Sequence, residues 1–305
     1  MATHPTGRFL YMTSSSDARV YGFAVGSGGA ITSIPGSPYV RGAAPGPSGI
    51  EPIAVEPSGR FVYAINRSTG TLTGYSIDQG TGALTQLVGS PFGLPSGAAA
   101  DGVSLQADPT GRFLFMTTPG PAPAGNVSTL GIDPVSGAVS INGSAGPARG
   151  AGLVHIKNDG RCLYTIDPST ITHYSLNPFS GFPIEQLSRH TIQDPVSAAI
   201  DPLGRFLFVG LGLTAPQARV LGISLLEFQN SCASSSPPQS VALGSPPGSL
   251  VVDSSGRFLY VAQPNVGGSG SLSLFSTALT FFSTASTAAT GQAFTGPMAM
   301  TGAIQ

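Results

Sequence analysis

Charge is scarce in this chain of 305 residues, in which Asp, Glu, Lys and Arg together make up 9%, against roughly 25% in an average soluble domain. Thirteen Lys+Arg face fourteen Asp+Glu, for a formal net charge of -1. That balance excludes a basic nucleic-acid footprint and a polybasic membrane surface. Lys157 is the sole lysine. Cysteine is limited to Cys162 and Cys232, too few for a disulfide scaffold or a four-cysteine zinc site. The four histidines, His4, His155, His173 and His190, follow no metal-binding spacing, so neither a metal nor a cofactor is expected. No stretch of about 18 apolar residues is present, which excludes a spanning helix. The start, Met1-Ala2-Thr3-His4-Pro5, lacks the apolar segment of a signal peptide. The chain is therefore read as either cytoplasmic or without its leader. Low charge with abundant Ser, Thr and Gly favours an extracytoplasmic surface.

What is abundant is Gly (42) and Pro (27), which argues against long helices. Repeated apolar runs argue against disorder. One tetrad recurs six times: Gly7-Arg8-Phe9-Leu10, Gly59-Arg60-Phe61-Val62, Gly111-Arg112-Phe113-Leu114, Gly160-Arg161-Cys162-Leu163, Gly204-Arg205-Phe206-Leu207 and Gly256-Arg257-Phe258-Leu259. The spacings are 52, 52, 49, 44 and 52 residues. The second copy shows the whole unit. A short apolar strand, 52–55, is followed by the turn Glu56-Pro57-Ser58-Gly59. A β-branched and aromatic strand runs over 60–65, an alternating strand over 71–77, and a last strand over 83–88. Four short strands in about 50 residues is the period of a propeller blade. The expected fold is all-β: a β-propeller of four-stranded antiparallel blades, six counted and seven possible, forming a single domain over 1–305.

The first copy begins at its turn, His4-Pro5-Thr6-Gly7, and Gly296-Pro297-Met298-Ala299-Met300 matches Glu51-Pro52-Ile53-Ala54-Val55. The C-terminal strand, Met298 to Thr301, is thus expected to pair with Arg8 to Thr13 and close the ring, removing an exposed edge.

The recurring Arg is expected to be structural, since it occupies one place in every blade. Three residues before each tetrad Gly stand His4, Glu56, Asp108, Lys157, Asp201 and Asp253. A carboxylate there can accept turn N–H groups and pair with the Arg. Cys162 replaces the tetrad aromatic and is expected as a buried small hydrophobe, with a disulfide to Cys232 as the alternative. His173 is expected at the surface. His155, in the innermost strand, is the residue best suited to act as a base facing the channel. The aligned blades hold Ala54, Gln106, Ala199, Val251 and Ala299 at its position. Glu51, Asp101 and Asp194 fall just before innermost strands and form a candidate channel-mouth site for a cation or a hydroxylated ligand. Solvated loop charge is the alternative. From Phe258 to Gln305 no residue is charged, which suggests self-association through the last blade.

The unit Glu56 to Asn66, with the exit Gly89-Ser90-Pro91-Phe92, resembles the lactonase-like β-propellers, the 6-phosphogluconolactonase and YVTN-repeat type. The resemblance covers nearly the whole chain. It implies a sugar-lactone hydrolase carrying Pro-Arg-His on an inner strand, a Phe-His-Pro turn and Asn-Glu after the next strand. Here the Arg position reads Glu51, Val103, Gly152, Val196 or Gly248. The following His position reads Pro52, Ser104, Leu153, Ser197, Ser249 or Pro297, and Asn-Glu becomes Asn66-Arg67 or Asp167-Pro168. The turn His survives only as His4. The expectation is a non-catalytic propeller that binds a small ligand or a protein, or serves in assembly. Lactone hydrolysis is the alternative, and nucleic acid is excluded as a partner.

Overall fold

A computed structural model describes residues 1–14, 16–42, 51–95, 104–118, 126–145, 152–212, 218–225, 232, 237–263, 270–278 and 281–289. The described residues form six antiparallel sheets and no helix. They group into two compact units, Met1–Val154 with Leu176–Ile184 and Thr301–Gln305, and His155–Ser175 with Glu185–Met300.

In the first unit, the first sheet orders Ala2–Thr3, Phe9–Ser14, Arg19–Val25 and Ile31–Ser33, with Tyr39–Val40 also on the third strand. The second orders Ile53–Val55, Phe61–Asn66, Thr71–Ile77 and Phe92–Gly93, with Leu84–Gln86 also on the third strand. The third sheet is Ser104–Ala107, Phe113–Thr118, Asn126–Ile132 and Val139–Ala145. The fourth sheet is Leu153–Ile156, Cys162–Ile166, Thr170–Leu176 and Pro183–Thr191. The fifth is Pro195–Ile200, Phe206–Leu211, Arg219–Ser224 and Gln239–Ala242. The sixth is Ser249–Val252, Phe258–Gln263, Ser271–Ala278 and Phe281–Ala289. Six antiparallel meanders, two of five strands and four of four, each with the tetrad turn between its first two strands, are the blades of a β-propeller.

The second strand of a blade reads as a continuous apolar run because both its faces are covered. Every residue of Phe61–Asn66 and Phe113–Thr118 is buried. One core cluster joins Phe9, Tyr11, Val20 and Ile34 of the first sheet to Val62, Tyr75 and Ile77 of the second. Another joins Phe61, Tyr63 and Ile65 to Leu105, Leu114, Met116 and Leu130 of the third. In the second unit Phe208 and Val220 pack on Leu250, Leu259, Val261 and Phe275.

The tetrad Gly is required by backbone geometry. All six, Gly7, Gly59, Gly111, Gly160, Gly204 and Gly256, have φ between 67° and 74°, a left-handed conformation that a Cβ disfavours. The preceding carboxylate is committed to the turn: Glu56 accepts the N–H groups of Ser58 (2.8 Å), Arg60 (2.7 Å) and Phe61 (3.2 Å). The expected ion pair with the tetrad Arg forms at Arg205–Asp201 (2.6 Å). In the first three sheets the Arg crosses to the next sheet, and Arg205 also donates to Gly256 O. Arg8 donates to the carbonyls of Gln79 (3.4 Å) and Gly80 (3.1 Å), Arg60 to Pro134 (2.6 Å) and Arg112 to Pro178 (2.9 Å). Each guanidinium also lies over the Phe that follows it, at 5.1 to 5.2 Å from the ring centroid.

The aromatic that follows the tetrad makes the same crossing. Tyr11 donates to Gly82 O (2.8 Å) and Tyr63 to Gly137 O (2.8 Å). The third sheet has Phe115 there, and Thr129, its cross-strand partner, donates to Gly181 O (3.1 Å) instead. Tyr11 and Tyr63 face Gly22 and Gly74 across the strand pair, so a Tyr–Gly pair is exchanged for a Phe–Thr pair with the donor retained.

Two expectations are corrected. Ala2–Thr3 is itself a strand, paired to Tyr11 and Leu10. It occupies the edge assigned to the C-terminal segment, and Ala2, not Ala299, is the first-sheet counterpart of His155. A two-residue strand carries no readable pattern. Met298 to Thr301 lie outside the described residues. The cysteines are not free: Cys162 and Cys232, 70 residues apart, form a disulfide with a Cα–Cα distance of 5.3 Å. The loop holding Cys232 returns to the second strand of the fourth sheet, a path that sequence spacing does not reveal.

Candidate functional site

Glu51 stands at the entry to Ile53–Val55, as expected, but is 3% exposed. Its carboxylate lies against the guanidinium of Arg41, which is 1% exposed. Arg41 follows the short strand Tyr39–Val40 and is held by its own N–H to Ala18 O (3.0 Å). Its side chain also donates to Ile65 O (2.6 Å) and Ser14 O (3.1 Å). Burial lowers the Arg41 pKa, yet a guanidinium starts so high that it stays charged. Thr13 donates to Glu51 O (2.6 Å), and Thr73 to Arg41 O (2.5 Å). Asn66 and Arg67, at the family's Asn-Glu position, are also buried. Asn66 Oδ1 accepts from Ser68 N (3.0 Å) and Oγ (2.6 Å). Glu51 thus belongs to a buried polar cluster and is not an open ligand group.

Asp101 lies outside the described residues. Asp194 sits in the connection between the fourth and fifth sheets with φ 48°. Its carbonyl accepts from Gly212 N (2.8 Å). A side chain at 212 would collide with the Asp194 carboxylate.

His155 lies on the first strand of the fourth sheet, Leu153–Ile156, with a half-buried side chain. In the aligned sheets Ala54, Gln106, Ala199 and Val251 each face the aromatic that follows the tetrad, at Tyr63, Phe115, Phe208 and Tyr260. Desolvation pulls the imidazole down to about 4, and among the described residues it has no hydrogen-bond partner. It is neutral at pH 7 but a weak base, far from the pKa near operating pH that proton abstraction favours.

His173, expected at the surface, is wholly buried. It faces Tyr164 across the strand pair, the position held by Gly22, Gly74 and Gly222 in other sheets. Among the described residues no group of three or more His, Cys, Asp or Glu could hold a metal ion. No helix among them is long and apolar enough to cross a membrane.

Sequence reading missed an open groove of about 500 Å³ at the rim of the first unit. Arg112, Asp133, Pro134, Asn142 and Phe179 line it. Phe179 is 88% exposed and Val135 84%. Both sit in turns between third and fourth strands, and a Phe amid Asn177-Pro178 and Ser180-Gly181 was the available signal.

Propeller architecture and blade signature meet in one family. Residues 1–142 match the family described as Lactonase, 7-bladed beta-propeller. Over those residues the chain is similar to the lactonase-like β-propellers, and six blades are present among the described residues. A putative 6-phosphogluconolactonase from Bacteroides fragilis is similar at 17% identity and TM-score 0.66, over 92% of this chain and 80% of that one. The periplasmic gluconolactonase PpgL of Pseudomonas aeruginosa is similar at 17% identity and TM-score 0.65, over 92% and 82%. Sqt1 of Chaetomium thermophilum, bound to the N-terminus of ribosomal protein L10, is similar at 16% identity and TM-score 0.59, over 91% and 71%. At these identities the likeness is one of fold. No curated protein matches the sequence.

Proposed function

We propose that this lactonase-like propeller is a binding module, taking a small ligand or a protein segment on its loops and turns, and not a lactone hydrolase. The carrying observation is the Arg41–Glu51 pair: the carboxylate nearest the family's catalytic position is buried against a cation. A lactonase needs a base for water and a donor for the developing oxyanion. His155 is a poor base, and no family Arg or His stands in the sequence beside it. The exposed Phe179 beside Arg112 and Asn142 supplies what a protein segment would use: an aromatic anchor rimmed by hydrogen-bonding groups. Sqt1 bound to a protein N-terminus is a precedent for such use of a propeller. The Cys162–Cys232 disulfide favours an oxidising, extracytoplasmic setting. Self-association through the uncharged last blade is a second mode of binding.

The test is hydrolysis of 6-phosphogluconolactone and gluconolactone by the purified chain, followed by acid release at constant pH. The expected rate equals that of buffer. Turnover that disappears in a folded His155→Ala variant would overturn the proposal.

A further inference from the structure

The fourth sheet sets two histidines side by side, His173 on its third strand and His190 on its fourth. Their ring centroids are 5.2 Å apart and the rings are inclined at 45°. Tyr164, on the neighbouring strand, meets His173 edge-on at 5.1 Å. His173 is 0% exposed, and its Nδ1 lies 2.7 Å from the carbonyl oxygen of Cys232.

That contact fixes the tautomer. A carbonyl can only accept, so Nδ1 carries the proton. Burial keeps the ring neutral, pulling its pKa to about 4, and Nε2 is then a bare lone pair. Nε2 of His173 is buried and meets no donor, and Nε2 of His190 is likewise buried without a partner. A buried polar atom left unsatisfied costs about 1–3 kcal/mol, and here two neighbouring rings each carry one. An imidazole whose Nδ1–H is tied to a backbone carbonyl is oriented as metal-ligating histidines are, with Nε2 toward the ion. The spacing agrees. Two imidazoles on one tetrahedral ion, with metal–nitrogen bonds of about 2.0–2.1 Å, bring their ring centroids to about 5 Å. Sequence spacing hides the pair, because strand pairing alone brings 173 and 190 together.

We propose that Nε2 of His173 and Nε2 of His190 bind a tetrahedral divalent transition-metal ion, zinc or its spectroscopic substitute cobalt. The two remaining positions go to water or to an anionic ligand that enters past the half-buried His190. The disulfide acts behind the site, because it anchors the Cys232 carbonyl that orients His173.

The experiment titrates cobalt(II) into the full chain, reading its visible absorption, with zinc calorimetry in parallel. One equivalent per chain is expected, with a tetrahedral cobalt spectrum that zinc displaces. His190→Gln, at a half-exposed position, should lower affinity at least tenfold and His173→Gln at least as much. If His173→Gln does not fold, His190→Gln alone decides. No binding at millimolar metal, or binding unchanged by His190→Gln, overturns the proposal.

Discussion

Removing one oxygen atom from Tyr63 isolates the hydroxyl that ties the second sheet to the third. Tyr63 is 0% exposed and donates to Gly137 O at 2.8 Å. Burial raises its pKa well above the ordinary phenol value, so it remains a donor throughout the stable pH range. Tyr63→Phe keeps the ring and its packing on Leu105, Leu114 and Met116, so no cavity term arises. What is lost is one hydrogen bond, and Gly137 O is left buried with fewer donors. The net cost is about 1–2 kcal/mol. In a chain of this size that lowers the melting temperature by about 2–3 °C. Urea unfolding followed by circular dichroism, with calorimetry, measures it. The midpoint should fall while the slope stays constant, because the surface exposed on unfolding is unchanged. Tyr11→Phe should behave alike, through Gly82. Thr129→Val should match them in the third sheet, where Thr129 makes the corresponding bond to Gly181. If all three variants unfold like the parent, the crossing bonds contribute nothing and the reasoning is refuted.

Acid should destabilise the protein between pH 6.5 and about 4. Burial depresses His155 and His173 to about 4 and lowers His190 and His4, so the unfolded chain binds protons first. Stability is complete above pH 6.5 and falls as pH drops toward 4, by at most about 3 kcal/mol for His173. Urea midpoints that stay flat from pH 7 to 5 would contradict this. Cys162→Ser should cost up to about 4 kcal/mol, the loop-closure entropy of a 70-residue loop, and an unchanged melting temperature would show that the cross-link does not constrain the unfolded chain. Gly59→Ala combines φ 74° with a Cβ that would collide with the His4 ring. A loss of about 2 kcal/mol or more is expected in denaturation, and a neutral effect would mean that the turn relaxes freely. Arg60→Ala should cost about 1–2 kcal/mol, from the Pro134 bond and the contact with Phe61, and leave any ligand affinity unaltered when binding is measured on folded protein.

The blades were legible in the sequence because a turn that demands a left-handed Gly leaves a mark wherever it recurs. The tetrads located all six second strands. What was not legible depends on contacts between distant segments. Arg41 sits in an irregular stretch, and nothing in its neighbours announces Glu51 as its partner. His173 was expected at the surface, yet the segment holding Cys232 and the rings of Tyr164 and His190 lie against it. Cys232 lies in a loop whose path no periodicity describes. The tetrad Arg was read as structural with a turn carboxylate as its partner, but its acceptor in the first three sheets is a carbonyl of the next sheet.

The choice of acceptor sets what evolution can change. Arg60, Arg112, Tyr11 and Tyr63 all grip main-chain oxygens, at Pro134, Pro178, Gly82 and Gly137. A peptide oxygen is supplied by whichever residue occupies the position, so the side chains of the gripped turns are released from holding the blades together. Asp78-Gln79-Gly80-Thr81, Asp133-Pro134-Val135-Ser136 and Asn177-Pro178-Phe179-Ser180 keep their capping Asp or Asn and can vary at their tips, where Val135 and Phe179 already face solvent. The rim can therefore be rewritten one turn at a time for a new partner without reopening a single blade contact.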